Sequence, residues 1–201
     1  RQDRAAVPLL AKLVRESTSP LAKHHALGVL DGLGALDEAS VVSALSERDP
    51  RVRERSIVMA EKLLLRKTGT PQLTNALARL ADDADDRVRF QLAFTAQTAL
   101  ASLAPAEAGP LADALVRLAR RDASDTWQVA ALLSGAPGVV TDVLFPALTR
   151  DLAVAKQYAG LVARLIEIRA ASKPAGGYEA LVDFVAQPGT SPQWLRALGD
   201  G

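Results

Sequence analysis

Cysteine is missing from this sequence altogether. That absence excludes disulfides, thiolate zinc sites, a cysteine nucleophile and covalent attachment of a c-type haem within these residues. It leaves the compartment open, because oxidising and reducing surroundings both tolerate such a chain. Aromatic residues are scarce at 4% while hydrophobic residues reach 49%, so the apolar content is almost entirely Ala, Leu and Val. This composition favours helices and is poor in the residues that strands draw on. Charge of one sign is not in excess either: 24 Lys and Arg against 23 Asp and Glu leave a formal net charge of +1. Nothing in that balance drives the chain toward phosphate backbones or anionic lipid. Long apolar runs are lacking as well, since Arg, Asp, Lys or Glu interrupts each one short of the roughly 20 residues that span a bilayer. The chain opens on Arg with no signal-peptide pattern and closes on Gly-Asp-Gly. It therefore reads as a piece of a longer protein, cut through a continuing repeat, and the lack of a targeting segment here decides nothing about where that protein goes.

What the sequence does contain is punctuation at regular intervals. Ser19-Pro20, Asp49-Pro50, Thr70-Pro71, Gly109-Pro110 and Ser191-Pro192 each set a capping or small residue before a proline. This is how helices start: the cap oxygen accepts a free backbone N–H, and proline at the first position lacks an N–H that would be unpaired anyway. Between these starts the apolar spacing is helical. Val52, Ser56, Met59 and Leu63 step by 4, 3 and 4, as do Val88, Leu92, Thr95 and Ala99, while Leu73, Leu77 and Leu80 match Leu111, Leu115 and Leu118. The pattern predicts helices near residues 5–16, 20–34, 38–47, 50–67, 71–81, 86–104, 109–120, 125–134, 140–150, 153–170, 177–187 and 191–198. They fall into pairs, a short helix followed by one that is usually longer.

The sequence also repeats itself. "RDPRVRERS" (48–56) returns as "DDRVRFQLA" (85–93), and aligning Asp49 with Asp85 superposes Val52 on Val88 and Arg53 on Arg89. A looser match sets Leu21-Ala22-Lys23 beside Asp125-Thr126-Trp127-Gln128. A drifting period of about 30 to 45 residues marks helical arrays. Asp49 and Asp85 are the expected structural caps, Val52 and Val88 enter the core, and Arg53 and Arg89 are expected to reach the capping Asp of the neighbouring unit as rungs of a ladder. The reading is all-α: a single domain over residues 1–201, built as an α-solenoid of about five to six helix hairpins.

The Asp-Pro-x-Val-Arg opening, followed by small and apolar residues at helical spacing, resembles a HEAT repeat over most of the chain. "SPLAKHHALGVLDGLGALD" (19–37), "DPRVRERSIVMAEKLL" (49–64), "DDRVRFQLAFT" (85–95) and "LARRDASDTWQVAALLSG" (118–135) are, in this order, similar to the HEAT-repeat region of large planctomycete and verrucomicrobial proteins described as membrane-bound dehydrogenase-like, haem-binding proteins. In that family such a region lies between a sorbosone-dehydrogenase-like β-propeller and a cytochrome c module with Cys-x-x-Cys-His. The resemblance implies a periplasmic or secreted redox parent, and it transfers no active-site residue to this chain.

Candidate chemistry is thin. His24 and His25 are the only histidines, and as helix neighbours they point about 100° apart, which ill suits chelation of one metal. Asp82, Asp83, Asp85 and Asp86 lack the glycine and the bidentate Glu of a calcium loop, so capping of a turn is the better account. "GLGALD" (32–37) follows a helix rather than a strand, so its glycines end that helix instead of cradling phosphate. The "RVRER" run is interleaved with acids and reads as a solvated, charge-paired face. Trp127 and Trp194 both stand at the start of second helices, where core packing is expected; Trp127, with Arg53 and Arg89, is also a candidate interaction residue. No catalytic, metal-binding or cofactor-binding residue is assigned, and no cofactor is expected in this segment.

The expected function is a non-catalytic scaffold that positions the dehydrogenase-like and cytochrome c modules of a larger redox protein. Its partners would be proteins, either neighbouring domains of the same chain or another protein, with no nucleic acid and no direct membrane insertion. Two rivals from other classes stay open: a HEAT-like DNA glycosylase of the alkylpurine type or another nucleic-acid-binding enzyme, which requires a basic concave face, and a tetrapyrrole-lyase-like HEAT protein.

Overall fold

A computed structural model describes residues 4–172 and 178–201. Among the described residues the chain is helical throughout, with thirteen α-helices and no strand. It divides into two compact units, Arg1–Ala114 and Leu115–Gly201.

The first unit holds α1 (Val7–Glu16), α2 (Pro20–Gly32), α3 (Glu38–Leu45), α4 (Pro50–Leu65), α5 (Pro71–Arg79), α6 (Asp86–Leu100) and the opening of α7 (Pro105–Arg121). The starts follow the expected chemistry. The side chains of Ser19, Asp37, Asp49, Thr70 and Asp85 each accept a backbone N–H of the helix they precede, satisfying donors that have no partner inside the helix. α1 packs on α2 and α3, α3 on α4 and α5, α2 on α4, and α4 on α6. The first helices of the pairs, α1, α3 and α5, thus form one row, and the second helices, α2, α4 and α6, form another. The stepped residues face inward: Val52, Ser56, Met59 and Leu63 are buried, and so are Val88, Leu92, Thr95 and Ala99. Each buried Leu or Val contributes roughly 1.5 to 3 kcal/mol relative to exposure.

The second unit continues from α7 with α8 (Thr126–Leu133), α9 (Pro137–Thr149), α10 (Leu152–Gln157), α11 (Ala159–Ala171), α12 (Glu179–Val185) and α13 (Pro192–Asp200). α9 takes α8, α10 and α11 against it, α11 packs on α13, and α12 on α13. The centre is aromatic: Phe184 meets Phe145 edge-on at 5.6 Å and lies over Trp194 at 5.1 Å. The Trp194 indole is fully buried and donates its Nε1–H to the Ala159 carbonyl at 3.0 Å.

Three expectations need correction. Gly109-Pro110 does not start a helix: α7 begins at Pro105, and Pro110 sits inside it. The earlier proline already occupies the favoured first position, and Pro110 comes so soon after it that the helix forgoes only one early hydrogen bond. The helix expected over 153–170 is two helices that part at Tyr158, whose backbone (φ −111°, ψ 32°) leaves the helical region. Apolar spacing runs straight across this break, because Ala155 and Val162, seven residues apart, are both buried. Trp127 is not packed in the core but is 76% exposed. The buried position of a second helix lies three residues after its cap, as with Asp49 and Val52, Asp85 and Val88, and Ser191 and Trp194; after Asp125 it is filled by buried Gln128. Trp127 instead matches Arg51 and Arg87, which point outward. The expected start of 177–187 lies outside the described residues.

Candidate functional site

Asp49 and Asp85 build the same clamp. Asp49 accepts the Arg51 backbone N–H at 2.9 Å and the Arg51 guanidinium at 3.1 and 2.7 Å. Asp85 repeats this with Arg87 at 3.0, 3.3 and 3.2 Å. The Arg51 guanidinium holds the Asp49 carboxyl at about 2, and Arg87 lowers that of Asp85 in the same way.

With the caps engaged by their own helices, Arg53 does not reach a capping Asp. It reaches Asp83, two residues before the cap of the next pair, through two parallel bonds of 2.7 Å. The Arg53 Nη1 also donates to the carbonyls of Glu47 and Arg48, and Arg89 makes the equivalent bonds to Asp83 and Ala84. Each arginine therefore braces the turn five and six residues before it. Asp83 further accepts the Asp85 N–H at 2.9 Å, so this acidic cluster serves a turn and an ion pair. One pair earlier the same place is taken by Lys23, which is 5% exposed and bonds to Glu47 and to the Arg15 carbonyl. Further ties join neighbours within the row of second helices: Asp31 receives Lys62 and Arg66, and Thr95 donates to Glu61 at 2.6 Å.

Between α2 and α4 lies a groove of about 520 Å³, lined by Leu21, His24, His25, Arg51, Arg55 and Val58 among others. The two imidazoles stand edge-on with centroids 5.7 Å apart. Arg55 is the exception to the charge-paired reading of its run: its Nε is buried and has no hydrogen-bond partner among the described residues. Sequence reasoning missed this residue, because Arg51, Arg53 and Arg55 look alike in a string of alternating basic residues. The helical period was the available signal, since it turns 51 and 55 toward one face and 53 away. A second cleft of about 470 Å³, within the second unit, is lined by Arg120, Arg121 and Arg164 with Thr126 and Tyr158. Trp127 is not among its lining residues.

Among the described residues no group of three His, Asp or Glu is placed to hold a metal ion, and no helix is long and apolar enough to cross a membrane. Comparison with known protein families, with curated proteins and with solved structures gives no match to this chain.

Proposed function

We propose that the chain is a non-catalytic scaffold of the HEAT-repeat type, an α-solenoid of about five to six helix pairs whose second helices present the face that binds proteins. The observation that carries this reading is the recurrence of one tie in successive pairs: Lys23 to Glu47, then Arg53 to Asp83. In both, a cation near the start of a second helix reaches an acid in the turn before the next one. A repeated tie of this kind sets the spacing between neighbours, which an array needs and a single irregular core does not. The resemblance to the repeat region of dehydrogenase-like, haem-binding proteins extends the proposal: the modules positioned would be those of a periplasmic or secreted redox protein.

Removal of residues 1–34 tests the array. In a solenoid each pair contacts only its neighbours, so the shortened chain keeps most of its helical circular dichroism and melts at a lower temperature. Collapse of the whole helical signal would overturn the array. The parentage is tested separately by the coding region on both sides: a β-propeller upstream and Cys-x-x-Cys-His downstream support it, and the absence of both removes it.

A further inference from the structure

We propose that the groove between α2 and α4 docks an acidic, apolar peptide segment of a partner protein, and that Arg55 takes a carboxylate of that segment. The inference rests on the scaffold reading and names the partner's chemistry. Three arginines follow one another on alternate positions of α4, and two are used internally: Arg51 by Asp49 and Arg53 by Asp83. Arg55 has a buried Nε without a partner. An Nε–H withdrawn from water and left unpaired is unfavourable while the rest of the half-buried guanidinium lines the groove, and a carboxylate entering there gains a charge-assisted bond to that group. The neighbouring helix leaves room for this group: a methyl group on Gly28 would stand only 3.3 Å from the Arg55 Nη2.

The rest of the lining selects the ligand. His24 and His25 add hydrogen-bonding groups beside Arg55, while Leu21, which is 66% exposed, and Val58 add apolar surface. Glu54 also lines the groove. With Arg51 already neutralised and Glu54 present, the groove suits a single carboxylate next to an aliphatic or aromatic side chain better than a phosphate dianion. A peptide fits better than a compact ligand because the next second helix carries further apolar surface at the matching positions. The alignment of Asp49 with Asp85 sets Glu54 level with Phe90 and Val58 level with Phe94, and α6 packs on α4. The Phe90 and Phe94 rings pair at 5.0 Å, with Phe94 exposed. Phe90 and Phe94 thus stand on α6 where Glu54 and Val58 stand on α4, and an extended segment leaving the groove along this face meets a second apolar patch.

The test is selection of a phage-displayed library of random dodecapeptides on the immobilised whole chain, followed by anisotropy titration of the selected peptides. Enriched sequences are expected to carry Asp or Glu beside Leu or Phe, and Arg55→Gln to weaken binding by about tenfold or more through loss of a charge-assisted bond. In the unmodified chain the Arg55 Nε–Hε resonance shifts on peptide addition, and Leu21→Asp weakens binding as well, so the proposal does not depend on one variant folding. Peptides that bind Arg55→Gln as tightly, or that leave the Arg55 resonance unmoved, overturn the groove and leave the scaffold standing. Enrichment of basic peptides overturns the carboxylate, and no enrichment on any face counts against both readings.

Discussion

Arg53 grips Asp83 with both arms of its fork at 2.7 Å, across 30 residues of sequence and from one helix pair to the next. Both side chains are largely withdrawn from water, at 15% and 5% exposure, and the bond raises the Arg53 pKa further above its ordinary value. Removing one partner strands the other. Asp83→Ala is expected to lower stability by about 2 to 4 kcal/mol in urea unfolding, below the full penalty for a wholly buried pair because Arg53 keeps some solvent. Arg53→Lys should retain less than half of the pair's contribution, since an ammonium cannot make the two parallel bonds. A loss under about 0.5 kcal/mol would place this pair with ordinary surface ion pairs.

The caps respond to acid. The Asp49 carboxyl sits at about 2 in the folded chain, against about 3.9 for an unperturbed Asp. A carboxylate depressed by folding stabilises above its unfolded value and loses that contribution as pH falls through the folded one. The melting temperature should thus fall between about pH 4 and pH 2. Asp49→Asn keeps a capping oxygen but removes the titration, so its melting curve should fall less over that range, with Asp85→Asn changing in the same direction. Asp85→Ala, which loses the cap itself, should cost about 0.5 to 2 kcal/mol near neutral pH.

The two tryptophans should behave as opposites. Trp194 is enclosed by Phe184 and tied to Ala159, so Trp194→Ala is expected to cost about 3 to 5 kcal/mol. Trp127→Ala should stay within about 0.5 kcal/mol, as an exposed side chain does. Fluorescence separates them without relying on stability. Trp127→Phe leaves a blue-shifted emission that iodide quenches poorly, and Trp194→Phe leaves a red-shifted, readily quenched one. The reverse pattern would refute the register argument that places Gln128, not Trp127, in the core.

That register shows what was readable beforehand. Helical type and most helix starts were legible because capping, proline position and apolar spacing are local properties, and the repeat made Val52 and Val88 check each other. The partner of Arg53 was not legible, because Asp83 and Asp85 differ by two residues and only the three-dimensional turn decides which faces the neighbour. The break at Tyr158 was not legible, because the nearest glycine, Gly160, lies inside α11 and not at the break itself. Arg55 became a candidate only once Arg51 and Arg53 were seen to be occupied.

The ends of α2 and α4 offer a comparison inside one molecule. After α2, Gly34 takes a left-handed backbone at φ 62°, its N–H bonds to the Asp31 carbonyl, and the Ala35 N–H bonds to that of Leu30. After α4 the same two bonds recur, from Lys67 to Leu64 and from Thr68 to Leu63, yet the left-handed residue is Lys67 at φ 56°. A side chain in that conformation carries a steric penalty that glycine avoids, which is why this helix ending favours glycine. Lys67 is exposed and has no ion pair among the described residues, so little is lost with its side chain. Lys67→Gly is expected to stabilise the chain by about 0.5 to 1 kcal/mol, and Gly34→Ala to destabilise it by a similar amount. Urea unfolding of both variants measures the pair. A destabilised Lys67→Gly would mean that the lost chain entropy outweighs the relieved strain, and that this turn is held by its two backbone bonds alone.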